Sequence, residues 1–146
     1  MRVDNPVLYA EDDENDAFLM QRAFNQAGII NPLQIVPTGA AAIEYLSGSG
    51  GFADREKFPM PALVLLDLKL GGESGFEVLT WIRARPSTAA VPVVVVTSSN
   101  QDSDMQLAYR TGANGYLIKP GKPEDLLAMV RGIKDYWLAQ NPAIKL

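Results

Sequence analysis

Three short runs of purely apolar residues constrain the fold most strongly. They cover residues 7–10, 62–66 and 93–96. None shows the apolar and polar alternation of a strand exposed on one face, so each predicts a strand covered on both faces. Residues 33–36 and 116–118 are weaker strand candidates that follow turn residues. The chain is therefore expected to form five strands.

Segments with helical patterning lie between and after these runs. They cover about 15–27, 40–46, 75–85, 102–111 and 123–139, the last being a long C-terminal helix. Strands that alternate with helices predict a parallel sheet with right-handed crossovers and helices on both faces. A Ser, Gly and Pro-rich stretch at about 47–61 is predicted to be an extended surface loop. We expect residues 1–146 to form one domain.

Composition excludes several classes of chemistry. The 146 residues contain no Cys and no His, which excludes disulfides, thiol catalysis, Ser-His-Asp triads and His-bearing zinc sites. Thirteen Lys and Arg against 17 Asp and Glu give a net charge of −4, which argues against binding to nucleic acids or anionic membranes. The apolar runs are far too short to span a bilayer. These features predict a cytoplasmic protein with protein partners.

Polar residues follow the predicted strands on one rim of the sheet. Residues 11–13 (Glu-Asp-Asp) come after the first strand, Asp67 after the third, Thr97 at the end of the fourth and Lys119 after the fifth. Ligands of open parallel sheets bind at these strand ends. Clustered carboxylates repel one another, and a hard cation such as Mg²⁺ relieves that repulsion. The rim suits phosphoryl transfer to a carboxylate.

Simpler structural roles remain open for the individual residues of this rim. Residues 11–14 could form only an acidic cap at the start of the first helix, stabilised by its dipole. Thr97 could be a capping hydroxyl, Lys119 a surface charge and Tyr116 an ordinary strand aromatic.

The order of four motifs makes the chain resemble the receiver domains of two-component response regulators. The motifs are Glu11-Asp12, residues 65–68 (Leu-Leu-Asp-Leu) with Gly75 beyond them, residues 96–98 (Val-Thr-Ser), and residues 112–120 ending in Lys-Pro. The extended loop and the last helix look like those of single-domain regulators associated with bacterial phytochromes.

This resemblance implies a flavodoxin-like (βα)5 fold with strand order 2-1-3-4-5. It also implies a signalling protein that catalyses only its own phosphorylation and dephosphorylation, with a sensor histidine kinase as the phosphoryl donor. The roles carried over are Asp67 as phosphoacceptor, Asp67, Asp12 and the Lys69 carbonyl as Mg²⁺ ligands, Glu11 as a ligand through water, Lys119 as a partner of the phosphoryl oxygens, and Thr97 with Tyr116 as the switch. The family pattern further suggests a cis bond between Lys119 and Pro120.

Two further predictions concern phosphate lifetime and assembly. Lys69 and Ser99 are expected to flank the path of the water that hydrolyses the acyl phosphate, with Lys69 blocking it. Apolar residues beyond the core-facing stripe of the last helix predict a homodimer or partner face. Its members are Leu127, Tyr136, Trp137 and Leu138.

Two alternative functions stay open at this point. A haloacid-dehalogenase-like phosphohydrolase also uses an Asp nucleophile, but it usually has a second Asp two residues later, where this chain has Lys69. A receiver-like scaffold that is never phosphorylated would be expected to lack Asp67, Thr97 or Lys119. The sequence does not name the kinase or the downstream target, and the chain could also serve as a phosphate sink.

Overall fold

The three apolar runs form the centre of one parallel sheet. In the computed structural model, which describes residues 5–138, all residues of the first, third and fourth strands are buried. Burial on both faces explains why these strands lack an alternating pattern. The strands are β1 (Val7–Ala10), β2 (Leu33–Val36), β3 (Leu63–Leu66), β4 (Val93–Thr97) and β5 (Gly115–Ile118).

The sheet order is β2-β1-β3-β4-β5 and every pairing is parallel. This confirms the predicted doubly wound fold. The helices are α1 (Glu14–Gln26), α2 (Gly39–Ser47), α3 (Gly75–Ala84), α4 (Asp102–Thr111) and α5 (Pro123–Ile133). Their limits lie close to the predicted ones, except at the end of the last helix.

Alternate residues of the strands point into two separate cores. Val7 and Tyr9 of β1 pack with Phe24 and Ile133 under α1 and α5. Leu8 and Ala10 point to the other face, into the core formed with α2 and α3. A smaller cluster beside α4 includes Leu68, Val95 and Ala108. None of the helices within residues 5–138 is long and apolar enough to cross a bilayer.

Strand register determines which residues meet at the rim. Ala10 is paired with Leu66, so Glu11 and Asp67 each come one residue after paired positions. The amide of Asp67 donates to the Ala10 carbonyl at 3.2 Å, so the backbone hydrogen bonding between β1 and β3 continues beyond the end of β3. At the same rim, between β4 and β5, the amide of Lys119 donates to the Thr97 carbonyl at 2.8 Å.

The segment at 47–61 is irregular, but its inner side is packed. It contains a short 3-10 helix, Gly50–Phe52. The rings of Phe52 and Phe58 lie 5.0 and 6.0 Å from the ring of Tyr45 on α2. The Arg55 guanidinium donates to the Tyr45 carbonyl at 2.7 Å, near the end of α2. The loop is therefore anchored to α2 by an aromatic cluster.

The last helix differs from the uniform α-helix predicted for 123–139. The α-helix α5 ends at Ile133, and Lys134–Leu138 form a π-helical turn. The indole of Trp137 lies over β5, 3.5 Å from where a side chain on Gly115 would begin. Trp137 and Leu138 thus pack against the core under α1 and α5. Residue 139 lies outside the described residues.

No cis peptide bond occurs in residues 5–138, so the bond between Lys119 and Pro120 is trans. The cis expectation is wrong for this structure. Trans is the lower-energy isomer of an X–Pro bond, by about 0.5–1 kcal/mol.

Gly75, the first residue of α3, has no room for a side chain. A Cβ there would collide with the carbonyl oxygen of Asp67 and lie 2.7 Å from the Cα of Leu68. The Gly75 amide also donates to the Leu68 carbonyl at 2.9 Å. Glycine at this position lets the start of α3 approach the backbone that carries Asp67.

We expect Gly75→Ala to lower the free energy of unfolding by about 2 kcal/mol, because backbone atoms must move to admit the methyl group. Gly132 in α5 is the matched control, since a Cβ there meets nothing within 4 Å. Gly132→Ala should raise stability by about 0.5–1 kcal/mol through helix propensity. Urea unfolding measures both changes, and equal effects of the two substitutions would contradict this explanation.

Candidate functional site

The ammonium of Lys119 lies among three carboxylates at the rim. Its Nζ is 2.6 Å from Glu11 Oε1, 2.7 Å from Asp67 Oδ2 and 2.8 Å from Asp16 Oδ2. The side chains of Glu11 and Asp67 are only 1% and 7% exposed, whereas that of Asp16 is 35% exposed. The structure therefore brings together three predicted site residues, Glu11, Asp67 and Lys119, with one that was not predicted.

Burial shifts the protonation of this group in identifiable directions. Desolvation raises the pKa of Glu11 above its usual value, although hydrogen bonds from Lys119 and the Asp13 amide offset part of the rise. Burial alone would lower the pKa of Lys119, but its hydrogen bonds to Asp16, Asp67 and Glu11 outweigh that effect and raise it. Lys119 therefore remains an ammonium at neutral pH.

The acidic residues after β1 divide between two roles. Glu11 turns inward, and its Oε2 accepts from the Asp13 amide at 3.1 Å. Asp13 is the N-cap of α1, accepting from the Asp16 amide at 2.9 Å. The capping interpretation thus holds for Asp13, whereas Glu11 belongs to the rim.

Asp12 and Lys69 lie at the exposed edge of the same rim. Asp12 is exposed, with Oδ2 3.9 Å from the Cβ that a side chain on Gly71 would have. The Lys69 amide donates to Asp67 Oδ1 at 3.2 Å, while its side chain is exposed. This bond from the loop backbone orients the Asp67 carboxylate, whose other oxygen, Oδ2, contacts Lys119.

The donor chemistry of the rim fits a hard divalent cation, because Glu11, Asp12 and Asp67 supply only oxygen atoms. Within residues 5–138, no group of three or more acidic side chains is arranged to hold a metal ion. Lys119 provides the compensating charge between Glu11 and Asp67 in this arrangement.

Thr97 and Tyr116 both contact the backbone of Ser99. Thr97 is fully buried, and its Oγ1 accepts from the Ser99 amide at 3.4 Å. The Tyr116 hydroxyl donates to the Ser99 carbonyl at 3.0 Å. The Ser99 hydroxyl points toward α4 and donates to Asp104 Oδ2 at 2.6 Å. One loop residue therefore links the two predicted switch side chains.

Sequence reasoning missed Tyr9 and Asp16. The Tyr9 hydroxyl donates to Glu11 Oε1 at 2.9 Å, and burial, then the charge of Glu11, raises the pKa of Tyr9. Its position two residues before Glu11 on an extended chain was a usable signal, since such residues share a face. Asp16 lies in the first turn of α1, which places it above the rim.

The four residues of the predicted partner face do not share one exposed surface. Trp137 and Leu138 pack on the core, whereas Tyr136 is 62% exposed and Leu127 is partly exposed. Other exposed apolar side chains lie on α4 and β5, and sequence patterning had not selected them. They are Leu107, Tyr109 and Ile118.

We expect Lys119→Gln to lower the free energy of unfolding at pH 7 by about 3 kcal/mol, because it leaves buried carboxylates without their counter-charge. This loss of unfolding free energy should be smaller at pH 5 than at pH 7. A carboxyl whose pKa is raised in the folded state binds protons more tightly there, so acidification favours folding. In the wild type, the contribution of Lys119 is lost only as the pH rises through its raised pKa.

Urea unfolding at pH 7 and pH 5 measures this effect. Lys122→Gln is the matched control, because Lys122 is exposed and its substitution removes the same charge. Equal deficits in the two variants, or a Lys119→Gln deficit that grows at pH 5, would contradict the electrostatic explanation.

Comparison with known proteins gives consistent matches. The family model for the response regulator receiver domain matches residues 7–131. The probable methanogenesis regulatory protein FilR2 of Methanothrix harundinacea is 40% identical over 135 residues, covering 92% of this chain and 84% of FilR2. The response regulator Rcp1 of Synechocystis sp. is 37% identical over 132 residues, covering 90% of this chain and 88% of Rcp1.

Solved structures show the same similarity. The crystal structure of Mn²⁺-bound Rcp1 has a TM-score of 0.83 at 36% identity, covering 93% of this chain and 96% of that one. The crystal structure of the phosphorylated cyanobacterial phytochrome response regulator RcpA has a TM-score of 0.85 at 31% identity, covering 92% and 94%.

Proposed function

The chain belongs to the response regulator receiver family, whose members are signalling proteins rather than conventional enzymes, and on that basis we propose that Asp67 is its phosphoacceptor. The observation that carries this proposal is the contact of Lys119 Nζ with Asp67 Oδ2 at 2.7 Å, at the carboxyl ends of the strands. An ammonium held against a carboxylate is positioned to bind phosphoryl oxygens attached to it.

The proposed donor is a phosphohistidine of a sensor histidine kinase. A carboxylate oxygen of Asp67 attacks the phosphorus atom, and a new O–P bond forms as the P–N bond to the imidazole breaks. The departing nitrogen keeps the electron pair, and the donor imidazole recovers a proton from solvent. Hydrolysis reverses the modification: water attacks phosphorus, the O–P bond to Asp67 breaks, and the carboxylate and inorganic phosphate are released.

We propose Mg²⁺ as the cofactor of this reaction. Asp12, Asp67 and the Lys69 carbonyl would hold the ion, with Glu11 acting through water. When bound, the ion neutralises charge on the phosphoryl oxygens. The Mn²⁺-bound form of Rcp1 supports a divalent cation in this family.

The output proposal rests on the shared contact at Ser99. If Thr97 turns toward a phosphoryl group, its hydroxyl gives up the Ser99 amide. That change reaches the residue whose carbonyl accepts from Tyr116. We therefore propose that phosphorylation moves the β4–α4 connection and repacks Tyr116, which changes the surface seen by partners.

We still expect the Lys69 side chain to block the water that would hydrolyse the acyl phosphate. Its exposed side chain starts two residues after Asp67 and is free of the core. Ser99 is less suited to control hydrolysis with its side chain, because its hydroxyl is engaged by Asp104. The lifetime prediction therefore rests on Lys69.

We propose a phytochrome-linked kinase as the input, because RcpA is described as a phytochrome response regulator. The cytoplasm is the compartment we propose for this exchange. Phosphotransfer profiling against the histidine kinases of the source organism tests the input. The phosphohydrolase alternative has lost its support, since the match to the receiver family covers residues 7–131 and Lys69 occupies the position of the second Asp.

Labelling with acetyl phosphate and Mg²⁺, read by intact mass, tests the phosphoacceptor. We expect the wild type to gain one alkali-labile phosphoryl group and Asp67→Asn to gain none, because the nucleophilic oxygen is lost. Asp125→Asn, which removes an exposed carboxylate from the first turn of α5, should label like the wild type.

Excess chelator should abolish labelling of the wild type. Full labelling in chelator would contradict the Mg²⁺ proposal, and wild-type labelling of Asp67→Asn would contradict the assignment of Asp67. A wild type that accepts no phosphoryl group from acetyl phosphate or from any cognate kinase would favour the unphosphorylated scaffold.

We also propose a homodimer through the face formed by α4, β5 and the segment after α5. Tyr136 is 62% exposed on that segment, and α4 and β5 also carry exposed apolar residues. Light scattering should find dimers of the wild type at high micromolar concentration, and Tyr136→Glu should weaken them because it places a charge in the apolar contact. Ile30→Glu is the control, since Ile30 is exposed before β2, at the opposite edge of the sheet. Only monomer in the wild type, with and without phosphorylation, would contradict the proposal.

A further inference from the structure

Three carboxylates already surround the ammonium of Lys119 in the resting protein: it donates to Asp16 and Asp67 and forms an ion pair with Glu11. A lysine ammonium carries three N–H groups. Three carboxylate oxygens, from Glu11, Asp67 and Asp16, lie within 2.6–2.8 Å of its nitrogen. A phosphoryl group on Asp67 brings new acceptor oxygens to the same ammonium. One existing partner must therefore be given up, at least in part, for Lys119 to bind them.

Burial indicates which partner is released. The Glu11 carboxylate is 1% exposed and would be left without its counter-charge if Lys119 withdrew from it. Asp67 carries the phosphoryl group and stays beside Lys119. The Asp16 carboxylate is 35% exposed, so water can solvate it once the ion pair opens. Opening an ion pair whose carboxylate water can reach costs less than breaking a fully buried pair, which costs several kcal/mol.

The surroundings of Asp16 also leave room for this exchange. A small opening of about 40 Å³ lies beside Lys119 and Asp16, bounded by Tyr9, Met20 and Leu126 among others. That volume exceeds the roughly 10–15 Å³ that one water needs. A water in the opening can replace Lys119 as a hydrogen-bond partner of Asp16.

We propose that Asp16 is a positioning residue that occupies one hydrogen-bond donor of Lys119 in the resting protein and releases it when Asp67 is phosphorylated. The inference rests on the proposed function, because it assumes that Asp67 accepts the phosphoryl group. Asp16 does not touch the reacting atoms. It acts by competing with the phosphoryl group for Lys119, and so weakens the phosphorylated state.

Binding of beryllium fluoride in saturating Mg²⁺ tests this competition, because the complex mimics a phosphoryl group on the Asp67 carboxylate without chemistry. Asp16→Asn should bind it about threefold more tightly than the wild type, the scale of one ion pair that water can reach. Asp16→Glu keeps the carboxylate and should return the affinity toward the wild-type value. Urea unfolding of each variant separates this effect from a change in stability.

Glu14→Gln is the matched control. Glu14 is exposed in the same first turn of α1 and its substitution removes the same charge, so a general electrostatic or helix-dipole effect would appear there too. An unchanged or weaker affinity in Asp16→Asn, or an equal gain in Glu14→Gln, would overturn the inference. A wild type that binds no beryllium fluoride and accepts no phosphoryl group would instead overturn the proposed function, and this inference with it.

Discussion

The ion pairs of Lys119 with Glu11 and Asp67 are the interaction on which the rest of the rim depends. Two nearly buried carboxylates lie side by side because Ala10 and Leu66 are paired in the sheet. Two carboxylates this close repel each other unless a cation lies between them. Lys119 supplies that positive charge and contacts Glu11 and Asp67 directly, and its contact with Asp67 is the one on which the proposed phosphoacceptor role depends.

The fold supplies this geometry through backbone pairing. Ladder hydrogen bonds continue beyond the strands, with Asp67 donating to Ala10 and Lys119 donating to Thr97. These bonds fix the points from which the three key side chains extend. The close approach of α3 at Gly75 then confines the backbone that follows Asp67. In the proposed function, a local change of charge at this rim is passed to the β4–α4 connection at Ser99.

Much of this arrangement was predictable because it depends on local pattern and strand order. The apolar runs predicted the buried strands, and the residues that follow them predicted the meeting of Glu11, Asp67 and Lys119. The role of Asp16 was not predictable in the same way, because it depends on the rotation of α1 over the rim. Trp137 is among the residues of the predicted partner face, but it packs on the core through the π-helical turn that follows α5. The packing of the 47–61 loop on Tyr45 likewise depends on tertiary contacts between aromatic rings.

One ammonium, shared among three carboxylates, holds the rim together. NMR spectroscopy that detects the ¹⁵N nucleus of lysine ammonium groups tests it directly, through scalar couplings across hydrogen bonds to carboxyl carbons. We expect a slowly exchanging Lys119 signal coupled to the carboxyl carbons of Asp67 and Asp16, and no such couplings for the exposed Lys122. A Lys119 signal that exchanges with water as fast as that of Lys122, with no coupling to Asp67, would contradict it.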